Sequence, residues 1–197
     1  MNELAISSDL TLVTARLRLR TWQTSDAPQL HDLLSANHER LRLNFPKTLA
    51  ATRTLEDTAA FIRERQRDWQ QRRAYQLGLW RAETEELLGL VSLRNLAWEI
   101  PKAELAYLIS AEAEGQGLMR EALGVVLHWA YQEIGLARIY CQLRPENLRS
   151  AQLVQRLQFR HEGCFRQDYR GADGRLYDLD QYALLRSEYV PLATKSV

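Results

Sequence analysis

The spacing of hydrophobic residues in the first quarter of the chain predicts a strand followed by a helix. Residues 16–20 read Arg-Leu-Arg-Leu-Arg, a period of two that predicts a half-buried strand with leucines inside and arginines on a solvated face. Ser25 and Asp26 are residue types that cap helices, and apolar residues recur at helical spacing over 27–34. A first helix is therefore expected directly after the first strand.

A second helix and three strands are predicted next. Thr54 and Asp57 have the spacing of a capping box, and the apolar residues after them predict a helix that ends near Arg73. Three apolar runs with short connections follow, at residues 75–80, 87–93 and 103–110. Strands joined this closely are expected to be antiparallel.

The period changes again after two glycines, Gly115 and Gly117. Apolar residues from Met119 to Ile134 recur at steps of three and four, which predicts an amphipathic helix that Gly135 ends. A strand at 137–143, a helix at 147–157 and strands at 159–165 and 179–185 complete the pattern. The alternation of strands and helices predicts an α/β fold with a mixed, mostly antiparallel sheet flanked by helices.

Composition supports a folded protein without bulk charge. The 197 residues are 46% hydrophobic and 26% charged, which excludes disordered, collagenous and repeat-only classes. No linker divides the chain, so a single domain over residues 1–197 is expected, with an ordered core of about 12–188 and loose ends before and after it. The 26 basic and 25 acidic residues leave a net charge of +1, which disfavours direct nucleic-acid binding.

Several classes of site and location are also disfavoured. No apolar run approaches the roughly 18 residues of a membrane span, and no secretory signal is apparent, so a cytoplasmic protein without membrane contact is expected. Cys141 and Cys164 have neither CxxC spacing nor a histidine partner, which argues against a disulfide or zinc site. The four histidines lack ligand spacing, so no metal is expected.

The segment from Glu114 to Met119 carries the clearest chemical signal. Glycines at 115 and 117 allow a ligand close to the backbone, and the start of the following helix offers unpaired N–H groups to an anion. A Rossmann fingerprint would need Gly or Ala where Arg120 stands, and a Walker A loop would need Gly-Lys-Ser/Thr. A third interpretation is a pyrophosphate loop for acetyl-CoA.

Five segments in order resemble the GNAT N-acetyltransferases, in particular the RimJ/RimL-type branch that acetylates the N-termini of ribosomal proteins. These segments are residues 16–20 with Asp26-Ala27, 102–107, 115–122, 145–150 and 159–164. The resemblance implies the GNAT fold, in which two central strands splay apart and bind acetyl-CoA. It also implies direct acetyl transfer to an amine and a homodimer.

The resemblance implies which residues bind acetyl-CoA. They come from the end of the strand predicted at 103–110, from the glycine loop with the helix start that follows it, and from one asparagine. These residues are Leu108, Ile109, Ser110, Gly115, Gln116, Gly117, Leu118, Met119, Arg120 and Asn147. Two positions depart from the family signature, since Glu114 replaces Arg or Gln and Met119 replaces Gly or Ala. Glu114 removes a cation from the loop, so phosphate binding is expected to depend on backbone N–H groups.

Three residues are candidates for the chemistry. By resemblance, Ser150 reaches the sulfur and protonates the leaving thiolate, while Asn147 reaches the pantetheine arm. The alternative for Asn147 is a plain helix N-cap, and the alternative for Ser150 is a serine in the first helical turn without a catalytic role. Glu104 and Asp168 are candidate bases for the acceptor amine, although a surface or salt-bridged strand residue is the alternative for Glu104.

The acceptor is the least determined part. Asn44, Phe45 and Trp98 are expected to line its cleft, with apolar shielding of the core as the alternative. A protein N-terminus is the first-choice acceptor; a polyamine, amino acid derivative or aminoglycoside is the second. A non-catalytic acetyl-CoA-binding module and an RNA-associated factor using the arginines over 63–73 are rivals, but acidic residues interleave those arginines as on a solvated face.

Overall fold

The protein, analysed as a computed structural model, is described at Ser7 and over residues 9–191. The strands in this part are β1 (Thr11–Val13), β2 (Leu17–Arg20), β3 (Tyr75–Arg81), β4 (Leu87–Ala97), β5 (Lys102–Ile109), β6 (Arg138–Leu143), β7 (Arg160–Arg170) and β8 (Leu176–Leu185). The α-helices are α1 (Ala27–Ala36), α2 (His38–Leu41), α3 (Pro46–Ala50), α4 (Leu55–Gln70), α5 (Leu118–Trp129) and α6 (Leu148–Arg156). Much of both expected loose ends lies outside the described residues.

The strands form one mixed sheet in the order β1-β2-β3-β4-β5-β6-β8-β7. Neighbouring strands are antiparallel except β5 and β6, which are parallel. This parallel pair is short, since only Lys102–Glu104 of β5 face residues 138–140 of β6. The predicted mostly antiparallel sheet is confirmed, and beyond Glu104 its two central strands diverge.

Helices cover both faces of the sheet. Leu90 and Val91, neighbours in β4, point to opposite faces and belong to different buried clusters. Leu90 packs with α1 and with Ile62 of α4, whereas Val91 packs with α5. None of the helices in the described residues has the length and hydrophobicity to cross a membrane.

The predicted helix starts are confirmed, with one difference in the capping. Thr54 and Asp57 form the expected reciprocal capping box at α4. Asp26 stands at the N-cap of α1, but its carboxylate binds the Arg20 guanidinium through two 2.7 Å hydrogen bonds instead of capping the helix. The arginines of residues 16–20 are therefore not simply a solvated face, because each of them pairs with a carboxylate.

Three short elements and one irregular turn differ from the sequence prediction. Strand β1 and helices α2 and α3 are three to five residues long, too short to show a period or to be stable alone. The helix expected to run to Ile134 is α-helical only to Trp129 and ends as a π-helical turn, Ala130–Ile134. Gly135 ends it as predicted, with a φ of +82°.

Candidate active site

The divergence of β5 and β6 opens a groove across the middle of the sheet. Its cavity volume is about 620 Å³. The end of β5, the glycine loop, the start of α5 and the start of α6 line it, and α2 lies along its rim. The backbone of β5 beyond Glu104 has no strand partner on the β6 side, so its polar groups there, apart from Ile109 O, which accepts a hydrogen bond from Arg40, are open to a ligand.

Most of the predicted acetyl-CoA residues lie on this groove. The structure brings together Leu108, Ile109, Gly115, Gly117, Leu118, Met119, Arg120 and Asn147. Ser110 is buried beside it, with its N–H bonded to Leu88 O at 2.7 Å. Gln116 is not among the lining residues; its carbonyl accepts a 3.1 Å hydrogen bond from Arg16 Nη1.

The glycine loop and the start of α5 form an open cradle for an anion. Gly115 and Gly117 both have φ +75°, and a Cβ at Gly115 would meet no described atom within 4 Å. Gly117 is the N-cap of α5 and supplies no side chain to the helix, so the first N–H groups remain available. Met119 departs from the family signature without filling this space, because its side chain is largely buried in the core.

Glu114 is paired with two arginines that sequence reasoning missed. Its two carboxylate oxygens bind Arg40 of α2 and Arg149 of α6. Arg40 is also bonded to Ile109 O and, at 3.0 Å, to the oxygen of buried Asn37. The glutamate that removes a cation from the loop therefore positions two cations at the groove, where four arginines face one carboxylate: Arg40, Arg120, Arg149 and Arg156.

A smaller pocket adjoins the groove near the start of α6. Its volume is about 130 Å³, and five residues line both spaces: Asn44, Phe45, Tyr107, Asn147 and Ser150. The predicted acceptor residues Asn44 and Phe45 thus lie where groove and pocket meet. A ligand in the groove and a second one in the pocket would meet at Ser150.

Ser150 and Asn147 occupy this junction in different ways. Asn147 Oδ1 accepts a 3.2 Å hydrogen bond from Ser150 N, so its carbonyl caps α6 while its N–H₂ group stays available. The Ser150 side chain is hydrogen-bonded to Tyr107. Tyr107 OH lies 3.5 Å from Ser150 O, and burial raises the pKa of Tyr107 well above its usual value, so its hydroxyl stays protonated.

Glu104 lies on the wall of the small pocket, where it is buried and each of its oxygens is hydrogen-bonded. Its two oxygens accept hydrogen bonds from Arg94 Nη2 at 2.5 Å and Asn95 Nδ2 at 2.6 Å. This is the salt-bridged strand residue weighed as the alternative to a base. A carboxylate has lone pairs for further acceptance, so Glu104 can still receive a proton through water.

Two predicted site residues lie elsewhere. Asp168 is exposed and lines neither cavity, whereas its neighbour Tyr169 lines the pocket and donates a 3.1 Å hydrogen bond to Leu43 O. Trp98 lies outside both linings: its indole donates to Arg72 O at 3.1 Å, and the Arg72 guanidinium stacks 4.1 Å from its ring. The structure does not bring Asp168 or Trp98 to the site.

Comparison with known proteins decides the family. The family described as acetyltransferase (GNAT) domain matches residues 16–160. The chain belongs to the GNAT acetyltransferase family. N-acetyltransferase p20 of Bacillus licheniformis is 29% identical over 179 residues, which cover 91% of this chain and 98% of that protein.

Two further relatives connect the chain to the RimJ/RimL-type branch. The [ribosomal protein uS5]-alanine N-acetyltransferase of Escherichia coli K12 is 30% identical over 119 residues, covering 60% of this chain and 61% of that one. The structure of RimL, a ribosomal L7/L12 alpha-N-protein acetyltransferase in complex with coenzyme A, superposes with a TM-score of 0.80. It is 24% identical and covers 88% of this chain and 96% of that chain, which confirms the GNAT fold.

Proposed function

We propose that this GNAT acetyltransferase moves the acetyl group of acetyl-CoA directly to a primary amine, with a protein N-terminus as the preferred acceptor. The observation that carries the proposal is the continuity of a long groove with a small pocket at Ser150. A long thioester would occupy the groove and an amine the pocket, so that acetyl carbon and nitrogen meet without a covalent enzyme intermediate.

The groove suits acetyl-CoA in its chemistry as well as its volume. The open N-terminus of α5 and the four arginines offer donors and positive charge to phosphates. The unpaired side of β5 offers main-chain groups to the pantetheine amides, and Asn147 Nδ2 is placed to reach the same arm. Coenzyme A bound to RimL, which has the same fold, supports this assignment.

The transfer needs one proton removed and one supplied. A bond forms between amine nitrogen and acetyl carbon, the carbon–sulfur bond breaks, the amine loses a proton and the thiolate gains one. Ser150 Oγ is the proposed donor of a proton to the sulfur and regains one from water, and Glu104, through water, is the proposed acceptor of the amine proton. An N-terminal amine has a pKa near 7.7–8.0, so a weak base suffices.

Acetyl-CoA-dependent thiol release against peptide N-termini and small amines tests the proposal. We expect peptides to be acetylated at the α-amine, which mass spectrometry of the product locates. The uS5-alanine N-acetyltransferase from E. coli supports a protein N-terminus as the acceptor. Turnover of small amines alone would move the assignment to a small-molecule acetyltransferase, and binding of acetyl-CoA without any turnover would leave only a binding module.

A further inference from the structure

The small pocket contains more positive than negative charge. Its ionisable wall residues, besides two tyrosines, are Arg94 of β4, Glu104 of β5 and Arg144 after β6. Burial raises the pKa of both tyrosines, Tyr107 and Tyr169, which therefore remain neutral. Two guanidinium groups thus face one carboxylate.

The charge of Glu104 is already matched, which leaves Arg144. Arg94 binds Glu104 at 2.5 Å, as described above. Among the residues that the structure describes, Arg144 forms an ion pair only with Glu146, at 3.3 Å, and the Glu146 side chain is 69% exposed, so water and salt screen that pair. The pocket therefore presents uncompensated positive charge to whatever enters it.

Arg144 is also held in place by its surroundings. Its side chain is only 14% exposed, and its guanidinium lies 4.0 Å from the Tyr177 ring. Its Nε is buried and has no hydrogen-bond partner among the described residues. The buried Nε fixes the side chain, and a fixed guanidinium binds a carboxylate with little loss of freedom.

Both arginines also act on a third residue of the pocket wall. The positive charges of Arg144 and Arg94 both oppose the effect of burial on the pKa of Tyr169. At about 130 Å³ the pocket is well below the roughly 300–1,000 Å³ of sites for whole small-molecule ligands, so it takes only the end of an acceptor.

We propose that the acceptor is a primary amine with a carboxylate a few bonds away, and that Arg144 selects it by binding the carboxylate through its guanidinium group. This rests on the acetyltransfer proposed above and names its substrate class. The amine would point to Ser150 and the carboxylate to Arg144, both of which line the pocket. A polyamine would instead bring a second ammonium towards Arg144, where like charges repel.

The test compares acceptors that differ only in charge. Peptides of equal length beginning Ala-Asp, Ala-Asn and Ala-Lys, together with free aspartate and spermidine, are assayed by thiol release at low and high salt. We expect kcat/KM for the Ala-Asp peptide to exceed that for Ala-Asn by roughly 10–100-fold, as for one charge-assisted hydrogen bond, and the ratio to fall with salt. Free aspartate against the Ala-Asp peptide distinguishes an amino acid from a protein N-terminus.

Variants assign the preference to one side chain. Arg144→Gln is expected to bring the Ala-Asp peptide down to the level of Ala-Asn, Arg144→Lys to retain part of the difference, and Arg63→Gln to retain all of it. Arg63 is an exposed arginine of α4 that lines neither cavity. A thermal shift with acetyl-CoA confirms that each variant is folded.

The outcomes distinguish the selection of a carboxylate by Arg144 from the acetyltransferase activity on which it depends. Equal rates for the Ala-Asp, Ala-Asn and Ala-Lys peptides, or a preference for spermidine, would overturn the selection by Arg144 while acetyltransfer stands. An equal loss for all acceptors in Arg144→Gln would overturn it as well. No turnover of any amine by a protein that binds acetyl-CoA would overturn the proposed function itself.

Discussion

The groove and the small pocket differ in how much main chain and how much side chain they present to a ligand. The groove includes main-chain surfaces beside its side chains: an unpaired strand edge, a glycine loop and the open N-terminus of a helix. The pocket consists of side chains from segments far apart in the chain, such as Asn44, Arg94, Arg144 and Tyr169. A backbone surface recognises what many relatives share, whereas a side-chain surface can differ with each acceptor.

This difference also explains the departures from the family signature. Substitution of a loop residue changes the groove little where the backbone does the binding, as at Met119, whose side chain is buried in the core. At Glu114 the loop has lost a cation, and Arg40 and Arg149 supply positive charge from two helices instead. The groove can thus exchange side chains and keep its chemistry.

The largest effect is expected from a change at Ser150, which lines both the groove and the small pocket. Ser150→Ala should lower kcat by roughly 10–1,000-fold, as expected for loss of one proton donor or transition-state hydrogen bond. The KM for acetyl-CoA should change little, because the hydroxyl acts on charge that develops only as the bond breaks. Steady-state kinetics measure both, with Ser35→Ala, an exposed serine of α1, as the control. An unchanged kcat would transfer the donor role to another group.

The next test asks whether the groove really depends on its backbone. Gly117→Val should cost ~1–2 kcal/mol of stability, because φ is +75° there, and should also weaken acetyl-CoA binding by roughly tenfold or more. Gly135→Val is the matched control, since Gly135 has φ +82° and equally open space but lies away from the groove. Calorimetry should show a similar loss of stability in both variants and weaker binding only in the first. Equal affinities would refute the backbone cradle.

The sequence predicted the groove well because its parts are local. Gly115 and Gly117 lie two residues apart at the start of one helix, and Asn147 and Ser150 lie three residues apart at the start of another. Each pair can therefore be recognised within a short stretch of sequence. Arg40 was missed because α2 has only four residues and no detectable period. Its contact with Glu114 spans 74 positions and depends on the tertiary fold.

The pocket could not be predicted in the same way. Its walls meet because the sheet places β7 and β8 beyond β6, an order that no local pattern contains. The choice between Asp168 and Tyr169 depends on one residue of register, since successive strand residues point to opposite faces. The pairing of β7 shifts between Phe165 and Tyr169, with Gln167 at φ +55°, and this irregularity places Tyr169 on the pocket wall.

A smaller effect on acetyl-CoA affinity is expected when a charged side chain of the groove is replaced and its backbone is left unchanged. Arg40→Gln should raise the dissociation constant for acetyl-CoA by roughly 3–10-fold, because one partly exposed cation near the phosphates is lost. The increase should shrink at high salt. Arg42→Gln, also on α2's C-terminal side but paired with Glu39, should leave the constant unchanged. Calorimetric titration at two salt concentrations measures this, and a loss as large as that in Gly117→Val would contradict the dominance of the backbone.

Tyr107, shared by both cavities, should have the smallest effect on activity. Tyr107→Phe should lower kcat less than about threefold, far below the 10²–10⁴-fold expected of a general acid, since Ser150 is the proposed donor. Its raised pKa has a consequence for stability instead. The folded state disfavours the phenolate, so this contribution is complete below the ordinary pKa of about 10 and is lost as the pH rises above it. Urea unfolding at pH 7 and pH 11 should therefore show a smaller alkaline loss in Tyr107→Phe than in the parent protein. A kcat lower than that of Ser150→Ala would make Tyr107 the proton donor.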